Sequence, residues 1–267
     1  MRLSLTKHHG LGNDFLVLFD DQELPDTPLS ELARRLCHRR RGIGADGLIL
    51  GRIEPGDGAD LTMVLHNADG SRAEMSGNGI RCLAQAWVRR GPLAIQTVVV
   101  DTDAGRRAVE VRPGPDVGTI LASVTMGAAR PIAPPAGWDA LGCDPARPVA
   151  HLSLGNPHAV VAVDDVEDVD LAALGARVPD INLEVVAAGP GRDAITMRVH
   201  ERGAGITEAC GTGAAAAAHA AHTWGLADAV HGEITVHMSG GDAKVRIGDE
   251  LVLIGPATYI AHLEVPT

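Results

Sequence analysis

The sequence predicts an α/β protein of two similar halves, each a sheet wrapped around one helix, with the active site in the cleft between them. Three observations support this prediction. Many short stretches are rich in Val, Ile and Leu or alternate between apolar and polar residues, which is typical of strands. Two longer apolar stretches are typical of helices, and each follows a glycine-rich turn. These two stretches also repeat each other, and a repeat of this kind indicates duplicated architecture.

The repeat has an offset of 134 residues, which is half of the 267-residue chain. It relates both glycine-rich turns and the residues before them. The aligned pairs are His66 and His200, Glu74 and Glu208, Ser76 and Cys210, Gly77 and Gly211, and Gly79 and Gly213. A looser echo relates residues 10–14 to residues 154–158. We therefore expect each half to present a helix N-terminus to one shared site.

The first half contains short strand-like stretches and two helical ones. The predicted strands are 3–6, 15–19, 48–53, 60–66, 94–100 and 108–111, and the predicted helices are 30–38 and 80–90. Residues 7–14 are rich in Gly, His and Asn and are predicted to form a loop. The segment Gly42 to Gly47 spells G-x-G-x-x-G, but a helix precedes it and a strand follows it. It is therefore interpreted as a turn and not as a dinucleotide site.

The second half follows a predicted join at Pro113–Asp116, which divides the chain into residues 1–117, rejoined by 257–267, and residues 118–256. The predicted strands are 119–126, 149–154, 159–163, 181–187, 195–200, 234–238, 243–247 and 250–254, and the predicted helices are 171–177 and 213–224. His219 and His222 lie three residues apart on the last helix. No cysteine or carboxylate recurs at zinc spacing, so no metal site is predicted.

The composition limits the class of protein. The net charge of −11 argues against a nucleic-acid-binding surface. No apolar run approaches the ~20 residues that span a bilayer, and residues 1–14 contain no signal-peptide core. Four cysteines without paired or metal-site spacing favour a reducing, cytoplasmic setting. We expect a homodimer because closed two-fold assemblies are the commonest.

The most reactive group in the pattern is Cys210. Alanine is the best helix former, so the run after Gly213 predicts a helix with this thiol at its N-terminus. The helix dipole there is expected to lower the pKa of the thiol, and the glycines let an anion approach the backbone N–H groups. Two acid/base groups on opposite sides of a bound anion are what inversion at a carbon requires. No metal or organic cofactor is indicated.

Five segments resemble the diaminopimelate epimerases, and the resemblance covers essentially the whole chain. The segments are KHHGLGNDF (7–15), RGIGAD (41–46), NADGSRAEMSGNGIRC (67–82), GNPH (155–158) and ERGAGITEACGTG (201–213). The resemblance implies two pseudo-symmetric α/β domains, each a β-barrel-like sheet around a central helix. It also implies cofactor-independent interconversion of LL- and meso-2,6-diaminopimelate, for lysine and cell-wall synthesis, by two thiols.

The resemblance also implies roles for single residues. Cys210 corresponds to one catalytic thiol, and the α-carboxylate would bind at Gly77, Asn78, Gly211 and Thr212. The other polar groups of the substrate would be held by Asn13, Asn67, Asn156, Asn182, Glu201 and Arg202. His158 and Glu201 would tune the pKa of the catalytic pair. Taken alone, Asn13 is equally a turn residue, and a lone strand Asn such as Asn182 is more often a local hydrogen-bond partner.

The chain departs from the family at its second catalytic position, which is Ser76. A hydroxyl is a much weaker acid than a thiol, so Ser76 is a poor general base without assistance. Two accounts stay open: a replacement of cysteine that disables the site, or a native serine in a slow or asymmetric enzyme. A racemase of the same fold with a Ser/Cys pair and a binding protein without turnover are the alternatives. Gly47 and Ile206 are smaller departures.

Overall fold

The computed structural model describes residues 2–53, 58–92 and 94–266, and its contacts divide the chain into two units. The first unit comprises Met1–Val124 and Gly255–Thr267, and the second comprises Thr125–Ile254. The boundaries therefore differ from the predicted ranges 1–117 with 257–267, and 118–256. The reason is that Pro113–Asp116 forms a turn inside the first unit, where Gly114 N–H donates to Thr119 O at 3.0 Å.

The described elements of the first unit are as follows, in chain order. They are β1 (Arg2–Gly10), β2 (Asn13–Phe19), α1 (Leu29–Leu36), β3 (Gly47–Ile53), β4 (Leu61–Asn67), β5 (Arg72–Ala73), α2 (Gly77–Val88), β6 (Gln96–Asp101), β7 (Arg107–Pro113) and β8 (Thr119–Gly127). Those of the second unit follow. They are β9 (Arg130–Pro131), β10 (Val149–Ser153), β11 (Pro157–Ala162), α3 (Leu171–Gly175), β12 (Asn182–Ala188), β13 (Ala194–Glu201), β14 (Gly205–Thr207), α4 (Gly211–Thr223), β15 (Glu233–Met238), β16 (Gly241–Arg246) and β17 (Leu251–Pro266). Two 3₁₀ turns, Trp138–Leu141 and Val166–Asp168, also lie in the second unit.

Among the described residues, the strands of the first unit form a closed barrel. Their order is β1, β2, β3, β4, β6, β7, β8 and β17, and β17 pairs in turn with β1. The pairs β2–β3 and β4–β6 are parallel, and the pairs β1–β2, β3–β4, β6–β7 and β7–β8 are antiparallel. In the second unit the order β10, β11, β12, β13, β15, β16, β17 repeats this pattern, with β11–β12 and β13–β15 parallel.

Each sheet surrounds one buried helix, as predicted. Helix α2 packs against β1, β2, β3, β4 and β7, and helix α4 packs against β10, β11, β12, β13, β15 and β16. Alanines 214–218 of α4 are fully buried, since their short side chains let the strands approach the helix closely. The helix ends at Trp224, and Gly225 follows with φ of 71°, the left-handed conformation that ends many helices.

The strand registers make the two units equivalent residue by residue. In the parallel pair β2–β3, Phe15 lies opposite Gly47 and Val17 opposite Ile49. In the parallel pair β11–β12, His158 lies opposite Asn182 and Val160 opposite Glu184. Helices α2 and α4 follow the matching strands β5 and β14. The repeat predicted from the sequence is therefore present in the fold.

The predicted loop at residues 7–14 is wrong. Strands β1 and β2 form a hairpin, in which Gly10 pairs with Asn13, and only Leu11 and Gly12 lie in the turn. Both turn residues have positive φ, 55° for Leu11 and 82° for Gly12, as tight two-residue hairpins require. Within the described ranges, no helix is long and apolar enough to cross a membrane.

Candidate active site

Cys210 is the N-cap residue of α4. Its backbone is extended, with φ of −123° and ψ of 115°, and its sulfur accepts a hydrogen bond from Gly213 N–H at 3.4 Å. The Thr212 hydroxyl lies 3.5 Å from the same sulfur. The first N–H groups of a helix have no partner within the helix, and Gly211 and Thr212 carry two of them. A thiol and an anion-binding helix end therefore share one turn.

The predicted lowering of the Cys210 pKa is wrong. Burial is the largest effect and raises the pKa well above the usual value, and the carboxyls of Glu201 and Glu184 raise it further. The hydrogen bonds from Thr212 and Gly213 lower it, but they are smaller effects. Cys210 is only 4% exposed, so desolvation of the thiolate outweighs the helix end. Burial therefore favours the neutral thiol over the thiolate.

A chain of hydrogen bonds leads from Cys210 into the interior of the second unit. Thr212 Oγ1 accepts from Asn156 Nδ2 at 3.1 Å, and Asn156 Oδ1 lies 3.0 Å from His158 Nε2. His158 Nδ1 lies 2.7 Å from Glu184 Oε1, and both side chains are fully buried. Burial raises the pKa of Glu184, whereas His158 opposes that rise. The predicted residues Asn156, His158, Cys210 and Thr212 are thus brought together, and Glu184 joins them.

Asn182 connects two loops of this unit. Its Oδ1 accepts from Arg202 N–H at 2.8 Å, and its Nδ2 donates to Pro157 O at 3.0 Å. Thr207 Oγ1 donates to Glu201 Oε1 at 2.5 Å, which fixes the carboxylate at the end of β13. Asn182 therefore holds the loop next to Asn156 against the turn that carries Glu201 and Arg202.

Ser76 occupies the matching position in the first unit. It is the N-cap of α2, and its Oγ accepts from Gly79 N–H at 3.0 Å. The following residues, Gly77 and Asn78, are buried in the first turn of the helix. Asn78 Nδ2 donates to Asn13 Oδ1 at 3.2 Å, which brings two predicted residues together. The local pattern predicted a helix N-terminus at both glycine-rich turns, although the helices begin at Gly77 and Gly211, two or three residues earlier than predicted.

Two charged groups support this second helix end. Asp46 Oδ2 accepts from Asn13 Nδ2 at 2.8 Å and so orients the amide. Arg81 is fully buried, and donates to Asn78 Oδ1 at 2.7 Å, to Gly77 O at 3.0 Å and to Pro256 O at 3.1 Å. Burial lowers the pKa of Arg81 to about 10. Sequence reasoning missed Arg81, although a single arginine within an apolar helix was the available signal.

Asn67 lies at the end of β4, opposite Gly47. Its Nδ2 donates to Ser71 Oγ at 3.0 Å, and its backbone N–H donates to Ser71 O at 2.9 Å. Both contacts of Asn67 therefore go to the turn that follows β4. In residues 2–53, 58–92 and 94–266, no three His, Cys, Asp or Glu side chains form a group that could hold a metal ion.

The fold has relatives among solved structures. A structure from Pseudomonas aeruginosa named a predicted epimerase superposes with a TM-score of 0.77 at 16% identity, and covers 99% of each chain. Fold and site together therefore define a two-unit α/β protein of the epimerase fold, with a thiol at one helix N-cap and a hydroxyl at the other.

Sequence comparison gives the family. The diaminopimelate epimerase model matches residues 5–131 and 151–260. The diaminopimelate epimerase of Desulfitobacterium hafniense is 36% identical over 97% of this chain and 96% of its own length. That of Bacillus cereus is 37% identical over 98% of this chain and 96% of its own length. The chain belongs to the diaminopimelate epimerase family, and it is an isomerase.

Proposed function

We propose that the protein interconverts LL- and meso-2,6-diaminopimelate by two-base proton transfer without a cofactor, in lysine and peptidoglycan biosynthesis. The observation that carries this proposal is the Cys210 thiol at the N-cap of α4, beside the N–H groups of Gly211 and Thr212. A carboxylate at that helix end places the neighbouring α-carbon within reach of the sulfur. The substrate is a small molecule, and the proposal involves neither nucleic acid nor membrane.

Cys210 is the better of the two acid/base groups. In one direction its S–H bond breaks and the proton joins the α-carbanion, while the electron pair of the carbanion forms the C–H bond. In the other direction the thiolate takes the α-proton, and the electron pair delocalises into the α-carboxylate. The helix N-terminus stabilises the charge that develops there. The hydrogen bonds from Thr212 and Gly213 lower the pKa of the thiol and so offset part of the rise that burial causes.

The remaining site residues would bind the substrate. The α-carboxylate is proposed to contact Gly77, Asn78, Gly211 and Thr212 at the helix ends. The second amino-carboxylate end is proposed to contact Asn13, Asn67, Asn156, Asn182, Glu201 and Arg202. Arg202 suits the far carboxylate because its guanidinium can donate to two oxygens at once. His158 and Glu201 are proposed to tune the catalytic pair.

Ser76 is proposed to serve the opposite face of the α-carbon. Its oxygen accepts from Gly79 N–H, so its hydroxyl hydrogen can point toward a ligand. It is a weaker acid/base group than Cys210, because the alkoxide that Ser76 leaves when it donates a proton, and needs in order to remove one, is very costly to form. Because the hydroxyl and the thiol are unequal in this way, two alternatives remain: a racemase that uses a Ser/Cys pair, and a form that binds its ligand without turnover.

The decisive experiment measures α-proton exchange in heavy water with LL- and meso-diaminopimelate separately, for this chain and for Ser76→Cys. Comparable turnover by both proteins means that Ser76 is a working partner. A second outcome is that only Ser76→Cys turns over, while the parent chain exchanges the α-proton of one configuration of the stereocentre. That outcome means that the serine disables one half-reaction. If neither protein exchanges a proton, the proposal is wrong and a racemase or binding role takes its place.

We also propose a cytoplasmic location and a homodimer. The four cysteines, all in the described part of the chain, are free thiols, as expected in a reducing compartment. The homodimer rests on the frequency of closed two-fold assemblies. Sedimentation of the purified chain over a range of concentrations tests it, since a constant monomer mass contradicts it.

A further inference from the structure

The two units differ at a pair of buried positions close to the N-termini of α2 and α4. The strand registers place His158 where the first unit has Phe15, and Glu184 where it has Ile49. An apolar pair in one unit is therefore an ionisable pair in the other. A buried carboxyl is costly unless it is paired, and Glu184 Oε2 has no hydrogen-bond partner among the described residues. Its presence in the second unit calls for an explanation that packing does not supply.

Glu184 lies directly under the first turn of α4. A Cβ atom added at Gly213 would meet Glu184 Oε1 at 2.6 Å and Cys210 Sγ at 3.2 Å. At the equivalent point in the first unit, a Cβ atom added at Gly79 would meet Ile49 Cδ1 at 3.3 Å. The ionisable pair thus stands next to the thiol, whereas the apolar pair stands next to the hydroxyl.

Counting donors along the chain of hydrogen bonds fixes where the protons are. Asn156 Oδ1 can only accept, so the hydrogen in the 3.0 Å contact belongs to His158 Nε2. The 2.7 Å contact between His158 Nδ1 and Glu184 Oε1 holds a second proton, on one atom or the other. Either arrangement leaves the pair neutral overall. Burial favours the protonated carboxyl, because it spares an unpartnered carboxylate oxygen.

The same count of donors and acceptors determines the direction in which the Thr212 hydroxyl hydrogen points. With its Oδ1 on His158, Asn156 turns its Nδ2 toward Thr212 and donates to Oγ1 at 3.1 Å. The Thr212 hydrogen therefore points away from Asn156, and the Cys210 sulfur lies 3.5 Å from Oγ1. A hydroxyl that donates to sulfur stabilises the thiolate. If His158 Nε2 lost its hydrogen, Asn156 would reverse its amide, and Thr212 would donate to Asn156 instead.

We infer that Glu184 is a positioning residue for Cys210: through His158 and Asn156 it directs the Thr212 hydroxyl hydrogen onto the sulfur. The inference rests on the proposed function, in which Cys210 exchanges the α-proton. It concerns the thiol itself, however, and can be tested without substrate. The ionisable groups that face this site are Glu201 from β13, Glu184 from β12 and His158 from β11.

The test is the rate of carbamidomethylation of Cys210 by iodoacetamide, localised by peptide mass spectrometry in the full-length chain. Only the thiolate reacts, so below the thiol pKa the rate follows the thiolate fraction. Glu184→Leu removes the partner of His158 Nδ1 and should slow the reaction roughly tenfold, the effect of losing one hydrogen bond to a charged group. Glu184→Gln can still donate to Nδ1, so it should react at the parent rate.

Thr212→Val supplies the second arm of the test. It should slow the reaction about as much as Glu184→Leu, and the double variant should be no slower than either single variant. Gln85→Leu is the matched control, because it removes the partner of another buried histidine, His8, in the first unit. It should leave the rate within about twofold of the parent.

Two results would overturn the inference. If both Glu184 variants react faster than the parent, Glu184 acts by its negative charge on the thiol and not by positioning. If the effects of Glu184→Leu and Thr212→Val add in the double variant, the two residues act independently. Neither result bears on whether diaminopimelate is the substrate. The α-proton exchange assay decides that separately.

Discussion

The third residue of each long helix offers a matched pair of substitutions. Gly213→Ala places a methyl group 2.6 Å from Glu184 Oε1 and 3.2 Å from Cys210 Sγ, well inside ordinary contact. Relieving overlap in a packed interior costs about 1–3 kcal/mol, and a 2.6 Å contact belongs to the upper part of that range, about 2–3 kcal/mol. The higher helix propensity of alanine stabilises the folded state by up to about 1 kcal/mol. We therefore expect a net loss of about 1–2 kcal/mol, which is a fall in melting temperature of about 2–8 °C.

Gly79→Ala is the control, since its methyl group would meet Ser76 Cβ at 3.1 Å and the mobile end of Ile49 at 3.3 Å. There the propensity gain and the smaller overlap should nearly cancel. Differential scanning calorimetry of both variants measures the difference, and α-proton exchange measures the effect on Cys210. We expect Gly213→Ala to lose at least about tenfold in exchange, because displacing Glu184 also moves the thiol. Equal destabilisation by both variants would refute this reasoning.

Four further results are expected. The pKa of His8 is lowered from 6.5 to about 4, mainly by burial, so the unfolded chain binds its proton more readily. The free energy of unfolding should fall by about 2 kcal/mol from pH 7 to pH 5 on this account, and His8→Gln should remove that part in urea titrations. Arg81→Met should cost about 2–4 kcal/mol in urea unfolding, because it leaves three buried acceptors without their donor. Arg192→Gln, which breaks the exposed Arg192–Asp228 pair, should leave the melting temperature unchanged within error. Ser76→Ala removes the oxygen that accepts from Gly79 N–H, and should cost about 1 kcal/mol of unfolding free energy by calorimetry.

The sequence predicted a helix N-terminus at each glycine-rich turn and the equivalence of the two units, because these depend on local patterns repeated along the chain. Ser76 and Cys210 could be recognised from the glycines that follow them. The hairpin at Leu11 and Gly12 was not predicted, because the nearby Gly, His and Asn residues indicated a longer loop and a leucine rarely adopts the positive φ of the observed turn.

The predictions about the site that were wrong or missing concern contacts between residues on different strands. The Cys210 pKa was expected to be low because a helix end lowers it, whereas burial by the surrounding sheet decides its direction. Glu184 pairs with His158 across a parallel strand pair, a contact that sequence distance does not reveal. A signal was present all the same: Glu184 is a single acid in an apolar strand, at the position that Ile49 occupies in the first unit.

The last strand has a consequence for synthesis of the chain. The second unit is one continuous segment, so all of its residues are available once Ile254 has left the ribosome. The first barrel is different, because β1 pairs with β2 on one side and finds its other partner only in the final residues of β17. Until those residues emerge, β1 and β8 are open edges that could pair with other chains. The half of the protein that is translated first is therefore the half that finishes folding last, and a stop shortly after residue 254 would leave its barrel open.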